Sequence, residues 1–209
     1  MKKPLLMILP LLLFLLLVIF LFQGLFNDPR ALDSQVKGKP LPSFSLPDLM
    51  HPERIYTPES LKGDVTIVNV WGVWCVTCAV ELPYLTHLSE QEGVRIVGLY
   101  FDQDLDPDFG TKTLSRVQQE VTEMLSRYGN PYAFNIFDVY RDTSLDLGVT
   151  GAPEHFVIDK EGIVRMHHIG DINERVWENK VGPLYRQLKQ ELANSQTFQE
   201  SQISQSGGD

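Results

Sequence analysis

Cysteine is scarce in this chain of 209 residues, which contains only Cys75 and Cys78. Two cysteines that lie this close together cannot form the disulfide framework that stabilises small secreted domains. A structural zinc ion needs four ligands, and the sequence has neither a second Cys-x-x-Cys pair nor a suitably spaced histidine pair. We therefore expect no metal site, and the two cysteines need another explanation.

Positive charge is also low. The 18 Lys and Arg residues are outnumbered by 27 Asp and Glu residues, which gives a formal net charge of -9 at pH 7. Binding to nucleic acid depends on clustered cations that neutralise phosphates, and the sequence contains no basic stripe. We therefore expect no nucleic-acid partner. The apolar content of 43% is normal for a globular protein, so we expect a folded domain.

One long apolar run is present, at residues 5–22, directly after Lys2 and Lys3 and Pro4. Its length is near the lower limit of roughly 17 to 25 residues that cross a bilayer as a helix. No small-residue cleavage site follows, so the run favours an uncleaved anchor over residues 1–26, with a removed signal peptide as the alternative. The preceding positive charges predict a cytoplasmic N-terminus and place the rest of the chain outside the inner membrane.

The sequence after the apolar run divides into a linker, a domain and a tail. Residues 27–38 are polar and predict a linker. Residues 39–193 alternate between strand and helix patterns and predict one α/β domain. Residues 194–209 are rich in Gln, Ser and Gly, so we expect a disordered polar tail.

Within the domain, two apolar runs at residues 65–70 and 94–101 are separated by a helical pattern. This order predicts a parallel strand–helix–strand unit, and Pro83 predicts a kink in its helix. The other expected elements are extended pieces at 43–46 and 54–57 that form a hairpin extension, a helix at 111–128, a strand at 134–137, a hairpin of 155–159 with 163–167, and a last helix that bends at Gly182 and Pro183.

The two cysteines lie where the first strand pattern gives way to its helix. A cysteine in the first helical turn lies beside unsatisfied backbone N–H groups, where the helix dipole favours the thiolate. Cys78 follows Cys75 by about one turn and can attack a mixed disulfide that Cys75 makes. The pair is thus predicted to cycle between dithiol and disulfide, whereas two buried inert thiols are the alternative.

The order of these elements, with Trp-Cys-x-x-Cys at the helix start and Gly-x-Pro before the hairpin, resembles the thioredoxin fold. More narrowly, the chain resembles the membrane-anchored CcmG/DsbE family of cytochrome c maturation over about residues 36–190. The residues that carry the resemblance are Gly38-Lys39-Pro40, Pro42-Ser43-Phe44, Asn69-Val70-Trp71, Trp74-Cys75, Thr77-Cys78, Gly129-Asn130-Pro131-Tyr132, Leu147-Gly148-Val149, Gly151-Ala152-Pro153-Glu154, Gly170-Asp171 and Trp177.

The resemblance implies a thioredoxin-like domain with a central mixed sheet flanked by helices, facing the periplasm. It implies a reductase that keeps the Cys-x-x-Cys-His sulfurs of apocytochrome c reduced for haem attachment. The implied partners are apocytochrome c, a membrane electron donor of the CcdA/DsbD type and haem ligation components, with the Cys75–Cys78 disulfide as the redox centre and no cofactor. The family usually has Pro where this chain has Val76, and a basic residue where it has Ala79.

The resemblance also implies a set of residues around the sulfurs. Pro153 corresponds to a cis-proline that holds substrate backbone, and Trp74, Ala152 and Glu154 are expected beside it at the substrate-binding surface. Glu81 follows Cys78 by three residues and therefore lies on the same helical face. Glu81 is expected to relay the proton of Cys78, and a solvated surface acid is the alternative for both Glu81 and Glu154.

Three functions are compatible with these residues. The leading hypothesis is reduction of apocytochrome c disulfides. A general periplasmic disulfide oxidase or isomerase is the second, because the residues between the cysteines set the reduction potential and Val76 is a departure. The third is a non-catalytic module that binds unfolded cysteine-containing chains. The oligomeric state and the reduction potential do not follow from the sequence.

Overall fold

The computed structural model describes residues 3–25, 35–101, 105 and 112–206. The chain divides into two compact units, Met1–Asp33 and Ser34–Asp209. The predicted linker falls mostly at residues 27–34, which lie outside the described residues, and its end at residues 35–38 forms a turn.

The first unit contains one helix, α1, at Lys3–Leu25, which includes Pro10. Side chains are described over residues 9–22 of this helix, and all of them are exposed. Counting only the residues that the structure describes, no helix is long and apolar enough to cross a membrane. The membrane anchor therefore stays a prediction from the sequence.

The second unit is built on a five-stranded mixed sheet. Its strands are β3 at Thr66–Trp71, β4 at Ile96–Phe101, β5 at Tyr132–Asp138, β6 at Glu154–Ile158 and β7 at Val164–Ile169, in the order β5-β4-β3-β6-β7. Strands β3, β4 and β5 run parallel, whereas β6 is antiparallel to β3 and β7 is antiparallel to β6. The predicted parallel unit and the predicted hairpin are both present, and the α/β class is confirmed.

A separate two-stranded ribbon precedes the sheet. Strand β1 at Leu46–Pro47 pairs with β2 at Ile55–Tyr56 over two residues each, less than the four-residue pieces read from the sequence. The Asp48 carboxylate accepts hydrogen bonds from the backbone N–H groups of Met50 and His51, each at 2.8 Å. This local cap shapes the connecting loop, which contains Pro52.

The described part of the chain also contains a short 3₁₀ helix at Pro58–Leu61 and six α-helices: α1, α2 at Val76–Gln91, α3 at Leu114–Tyr128, α4 at Asp142–Asp146, α5 at Glu174–Val176 and α6 at Gly182–Ser206. Helix α2 runs through Pro83 without interruption, and the predicted kink stays a prediction. Helix α3 begins at a Thr113 cap and ends at Gly129, whose φ of 105° suits only glycine.

The C-terminal helix departs from the prediction in two ways. Before Gly182 the chain makes a π-helical turn at Trp177–Val181, in which the Gly182 N–H bonds to the Trp177 carbonyl. This turn precedes Pro183, which has no N–H for a regular helical bond. The tail predicted as disordered is helical through Ser206. Propagation from an already formed helix avoids the cost of nucleation, and Ser195 and Thr197 bond back to earlier carbonyls.

The core lies on both faces of the sheet as two clusters. One cluster joins sheet residues to α2 and α3, and its members include Trp71, Cys75, Cys78, Leu82, Leu85, Tyr100, Val117 and Val121. The other lies on the opposite face and includes Leu61, Val68, Val70, Val97, Leu99, Ile136, Phe156 and Ile158. Both cysteines therefore belong to the core on the α2 face.

Candidate active site

The cysteines stand at the junction of β3 and α2. Cys75 is the N-cap of α2, and its sulfur accepts a hydrogen bond from the Cys78 backbone N–H at 3.1 Å. The two sulfurs are joined in a disulfide of 2.06 Å. Cys75 is 5% exposed and Cys78 is fully buried. Only the first sulfur therefore offers an approach to an outside reactant, and a thiolate there would have a backbone donor already in place.

An open cavity of about 920 Å³ reaches the Cys75 side chain. It lies between the start of α2 and the face of α3, and its lining includes Val73, Cys75, Val76, Ala79, Glu123, Met124, Arg127 and Tyr128. The Val76 side chain is 79% exposed. The cavity is large enough for a segment of polypeptide beside the sulfur.

Trp74 is half-buried and fixed beside the cysteines. Its indole N–H donates to the Phe101 carbonyl at 2.9 Å, at the end of β4. Its ring lies over Gly72, where a Cβ atom would overlap the indole. The glycine thus permits the indole to lie flat against the turn that leads to Cys75. The substrate-binding role of Trp74 stays a prediction.

The proline loop precedes β6. The peptide bond between Ala152 and Pro153 is cis, as the resemblance predicted. Glu154 pairs with Val70 in the register of β6 and β3, so this loop lies at the sheet edge where β3 leads to the cysteines. The Pro153 carbonyl accepts a hydrogen bond from the Gly170 N–H at 3.0 Å, which ties the loop to the end of β7.

Glu154 is buried and engaged on both oxygens. One oxygen accepts hydrogen bonds from the Thr150 N–H and hydroxyl and from the Gly151 N–H, at 2.9, 2.6 and 2.9 Å. The other lies 2.7 Å from Nε2 of His167. Burial alone would raise the pKa of Glu154, but the hydrogen bonds from His167 and Thr150 hold this pKa below its usual value. Glu154 therefore holds the proline loop in place through these hydrogen bonds.

Glu81 is also buried, on α2 one turn after Cys78, and the solvated alternative is wrong for it and for Glu154. Its Oε1 accepts a hydrogen bond from the Asn69 side-chain amide at 3.1 Å, and its Oε2 accepts one from the Ile172 N–H at 3.1 Å. Oε2 also lies 3.4 Å from Nε2 of His155. Glu81 thus sits beside a second titratable group, in the part of the core that contains Cys78.

Glu81 joins a row of residues that crosses the whole sheet. Direct partners across the five strands place Asn135, Gly98, Asn69, His155 and His168 side by side. Gly98 has no side chain, and the edge of the Trp71 indole occupies the space beside it. The indole N–H donates to Asn135 Oδ1 at 2.9 Å. We call these five residues the cross-sheet row.

Tyr132 fixes the orientation of the row at Asn69. Its phenol donates to Asn69 Oδ1 at 2.6 Å, and its ring stacks on Trp71 at 4.8 Å. Burial, with the nearby Glu81 charge, raises the pKa of Tyr132 well above its usual value, so the phenol keeps its proton. At the other end of the row, burial and the neighbouring His155 lower the pKa of His168 to about 4.

No motif in the sequence singled out His155, His167 or His168. The available signal was a polar side chain inside an otherwise apolar strand, as in the run from Glu154 to Ile158, of which every residue is buried. Among the described residues, no group of three or more His, Cys, Asp or Glu side chains is placed to hold a metal ion.

The chain is similar in sequence to known thiol:disulfide interchange proteins. The family model described as Redoxin matches residues 36–182. The chain is 42% identical over 189 residues to the thiol:disulfide interchange protein DsbE of Pseudomonas aeruginosa, covering 90% of this chain and 97% of that protein. It is 41% identical over 168 residues to DsbE of Escherichia coli, covering 80% and 83%.

A solved structure has the same fold. The thioredoxin domain of a thiol-disulfide oxidoreductase from Bacteroides vulgatus matches with a TM-score of 0.52 at 19% identity, covering 76% of this chain and 99% of that domain. At this identity the match establishes the thioredoxin-like fold, with its mixed sheet and flanking helices.

Proposed function

Because the chain belongs to the DsbE (CcmG) family of thiol:disulfide interchange proteins within the Redoxin family, we propose that it is a reductase that prepares apocytochrome c for haem attachment. Its substrate is the disulfide of a Cys-x-x-Cys-His segment. The observation that carries the proposal is the asymmetry of the two sulfurs: Cys75 borders an open cavity, whereas Cys78 is buried behind it.

The reaction follows from this asymmetry. In the reduced protein the Cys75 thiolate attacks one sulfur of the client disulfide, and the other client sulfur leaves with the electron pair of the broken bond. Cys78 loses its proton and attacks the Cys75 sulfur, which closes the internal disulfide and releases the second client sulfur. The client gains two electrons, which the protein then recovers from a dithiol donor.

The proposed setting is the periplasmic side of the inner membrane, with the apolar run at residues 5–22 as a single anchor and the N-terminus in the cytoplasm. The proposed partners are apocytochrome c, a membrane electron donor of the CcdA/DsbD type and haem ligation components. Extraction of isolated membranes at alkaline pH tests the anchor, because an anchored chain stays with the lipid and a peripheral one is released.

Replacement of the first cysteine tests the function directly. In a host that lacks its own protein of this family and receives no added thiol reductant, Cys75→Ser should abolish haem-stained cytochrome c. Normal maturation in that variant would refute the proposal. The matched variant Cys78→Ala should instead retain the client as a mixed disulfide on Cys75, and mass spectrometry of the adduct identifies the client.

The exposed Val76 between the cysteines is the observation that favours a second candidate, an oxidase or isomerase of general specificity. The residues between the cysteines set thiolate stability and hence the reduction potential. Trapping the thiols of living cells with an alkylating reagent distinguishes the two functions. A pool held mainly as dithiol supports the reductase, and a pool held mainly as disulfide supports the oxidase.

A further inference from the structure

His155 is a buried imidazole that the proposed reaction does not yet use. It is fully buried on β6, opposite Asn69 of β3 and His168 of β7 in the strand register. Its ring has two distinct environments. Nε2 faces Asn69 and Glu81, whereas Nδ1 has no hydrogen-bond partner among the described residues. A buried polar atom of this kind in a folded protein asks for a functional explanation.

The hydrogen bonds around Asn69 fix which nitrogen of His155 can accept a proton. Because the Tyr132 phenol donates to Oδ1 of Asn69, the amide NH₂ group points the other way. That NH₂ group lies 3.1 Å from Glu81 Oε1 and 2.8 Å from His155 Nε2, so each of its two hydrogens has an acceptor. Nε2 of His155 thus accepts a hydrogen bond from this amide through its one electron pair, which places the ring N–H at Nδ1.

Nε2 of His155 also lies 3.4 Å from Glu81 Oε2. The other titratable groups around the ring are His168, whose ring centre is 6.1 Å away, and Tyr132, one hydrogen bond removed through Asn69. His168 is neutral near pH 7 and Tyr132 is protonated, because burial shifts both pKa values away from that range. Glu81 is therefore the carboxyl group that faces His155.

We propose that His155 is a positioning residue for proton transfer, which shares with Glu81 the proton that Cys78 loses when the internal disulfide closes. In this step the Cys78 S–H bond breaks and its proton passes to the Glu81 carboxylate. The Cys78 thiolate then attacks Cys75, the bond from Cys75 to the client breaks, and the client sulfur leaves as a thiolate. Nε2 of His155 stabilises the proton on Glu81 by accepting a hydrogen bond from it, in place of the hydrogen bond from the Asn69 amide.

The proton is returned when the protein is reduced again. A dithiol donor attacks the Cys75 sulfur, Cys78 leaves as a thiolate, and this thiolate takes the proton back from Glu81 and His155. The buried pair therefore stores one proton for the half of the cycle in which Cys78 is in the disulfide. This inference rests on the proposed reductase function, in which Cys78 closes the disulfide after Cys75 has attacked.

Stopped-flow kinetics with a symmetrical peptide disulfide tests the role of His155. Attack by Cys75 releases one thiol peptide, and closure by Cys78 releases the second, so the two steps appear as two phases. At neutral pH, His155→Gln should slow the second phase roughly tenfold, less than the roughly 100-fold expected when the base itself is lost, and leave the first phase unchanged. Its second phase should also follow a different pH profile from that of the wild-type protein.

The matched control is His168→Gln, the same change at the adjacent position of the cross-sheet row. His168 Nε2 faces the Asp171 carbonyl and contacts no carboxylate of the site, so both phases should keep their wild-type rates. An unchanged second phase in His155→Gln, or equal slowing in His168→Gln, overturns the inference. In the Glu81→Gln background, His155→Gln should add no further slowing, and full multiplication of the two effects overturns the inference as well.

A measurement on the wild-type protein covers the case in which His155→Gln fails to fold. The ¹⁵N shifts of the His155 ring should report a different hydrogen-bond state at Nε2 in the oxidised and reduced proteins at the same pH. Identical shifts in both states overturn the inference. If the wild-type protein released no thiol from any peptide disulfide, the reductase function itself would fail, and the two results are therefore distinguishable.

Discussion

Glu81 and Glu154 are two buried carboxylates, one on the helix that carries Cys78 and one directly after the cis-proline, and they differ in what surrounds them. Glu154 is surrounded by donors of its own loop, Thr150 and Gly151, and by His167. Glu81 instead meets a side-chain amide and a single backbone N–H, with His155 beside it. The first environment favours the charged carboxylate, whereas the second offers fewer donors and an adjacent imidazole. Two acids that look alike in the sequence are thus suited to different tasks.

The largest effect is expected from Glu154→Ala. The change leaves the Thr150 and Gly151 donors and His167 without their acceptor in a buried position, so the free energy of unfolding should fall by about 3 to 5 kcal/mol. Urea unfolding followed by circular dichroism measures it. Glu59→Ala removes an exposed acid paired with Lys62 and should cause little change. Equal stability losses in the two variants would contradict the assignment of Glu154 as a fastening group.

Glu81→Gln should act on the rate more than on stability. Loss of the proton acceptor should slow closure of the disulfide by roughly 100-fold, which corresponds to about 2.7 kcal/mol of activation free energy. The amide keeps one acceptor for the Ile172 N–H, so stability should fall by only about 1 kcal/mol. Parallel measurement of closure rate and urea midpoint checks this. A large stability loss with a normal rate would erase the distinction between the two acids.

The pH dependence of stability separates the acids further. Because the pKa of Glu154 is lowered in the folded protein, its carboxylate stabilises the fold above the unfolded value of about 4.3, and this contribution is lost as the pH falls through the folded pKa. Glu154→Gln should therefore show a flatter fall in stability at acidic pH than the wild-type protein. Equal slopes below about pH 4 would show that Glu154 carries no such linkage.

His168 acts in a different pH window. Its pKa is lowered to about 4 in the folded protein, so the unfolded chain binds the extra proton first as the pH falls from about 6.5, and stability declines down to about pH 4. His168→Gln should remove this part of the decline and leave the part below it intact. Thermal unfolding at pH steps across both windows checks this, and an unchanged profile in the variant would contradict it.

The smallest effect is expected from Tyr132→Phe. The variant removes the phenol that donates to Asn69 Oδ1 and leaves this oxygen unpaired, which should cost about 1 to 2 kcal/mol of stability. It also frees the Asn69 amide to rotate, so the hydrogen bonds to Glu81 should weaken. Urea unfolding gives the stability change, and ¹⁵N shifts of the Asn69 side chain report its rotation. An unshifted amide would show that Glu81 does not depend on Tyr132.

The sequence predicted those features that local pattern decides. The strand runs and the helix that starts at the cysteines each depend on residues close together in the chain, whereas the cis-proline was predicted from the family resemblance. The helical tail beyond residue 194 was missed because it has no apolar stripe, and its helix continues from α6 rather than forming alone. The length of the β1–β2 ribbon was overestimated, because extended residues form a ribbon only where the register lets them pair.

The site was predictable only in part. Cys75, Cys78 and Glu81 are close in sequence, and their spacing alone places them on one helix. The residues around Glu81 are far from one another in the sequence. Asn69 and His155 are 86 residues apart, and Asn69 and Tyr132 are 63 residues apart. Their meeting is decided by the register of β3, β5 and β6, which no local pattern encodes. The contrast between the two acids is therefore a tertiary property.

Gly98 shows how far this dependence extends. A methyl group at this position would approach the Trp71 indole nitrogen to 2.6 Å and collide with the Asn135 side chain. Alanine, the mildest replacement, would therefore press on a tryptophan that stacks on Tyr132, and so on the phenol that sets the Asn69 amide. A strand residue with no side chain thus constrains the hydrogen bonds around Glu81, and natural or laboratory evolution of this protein has to work around it.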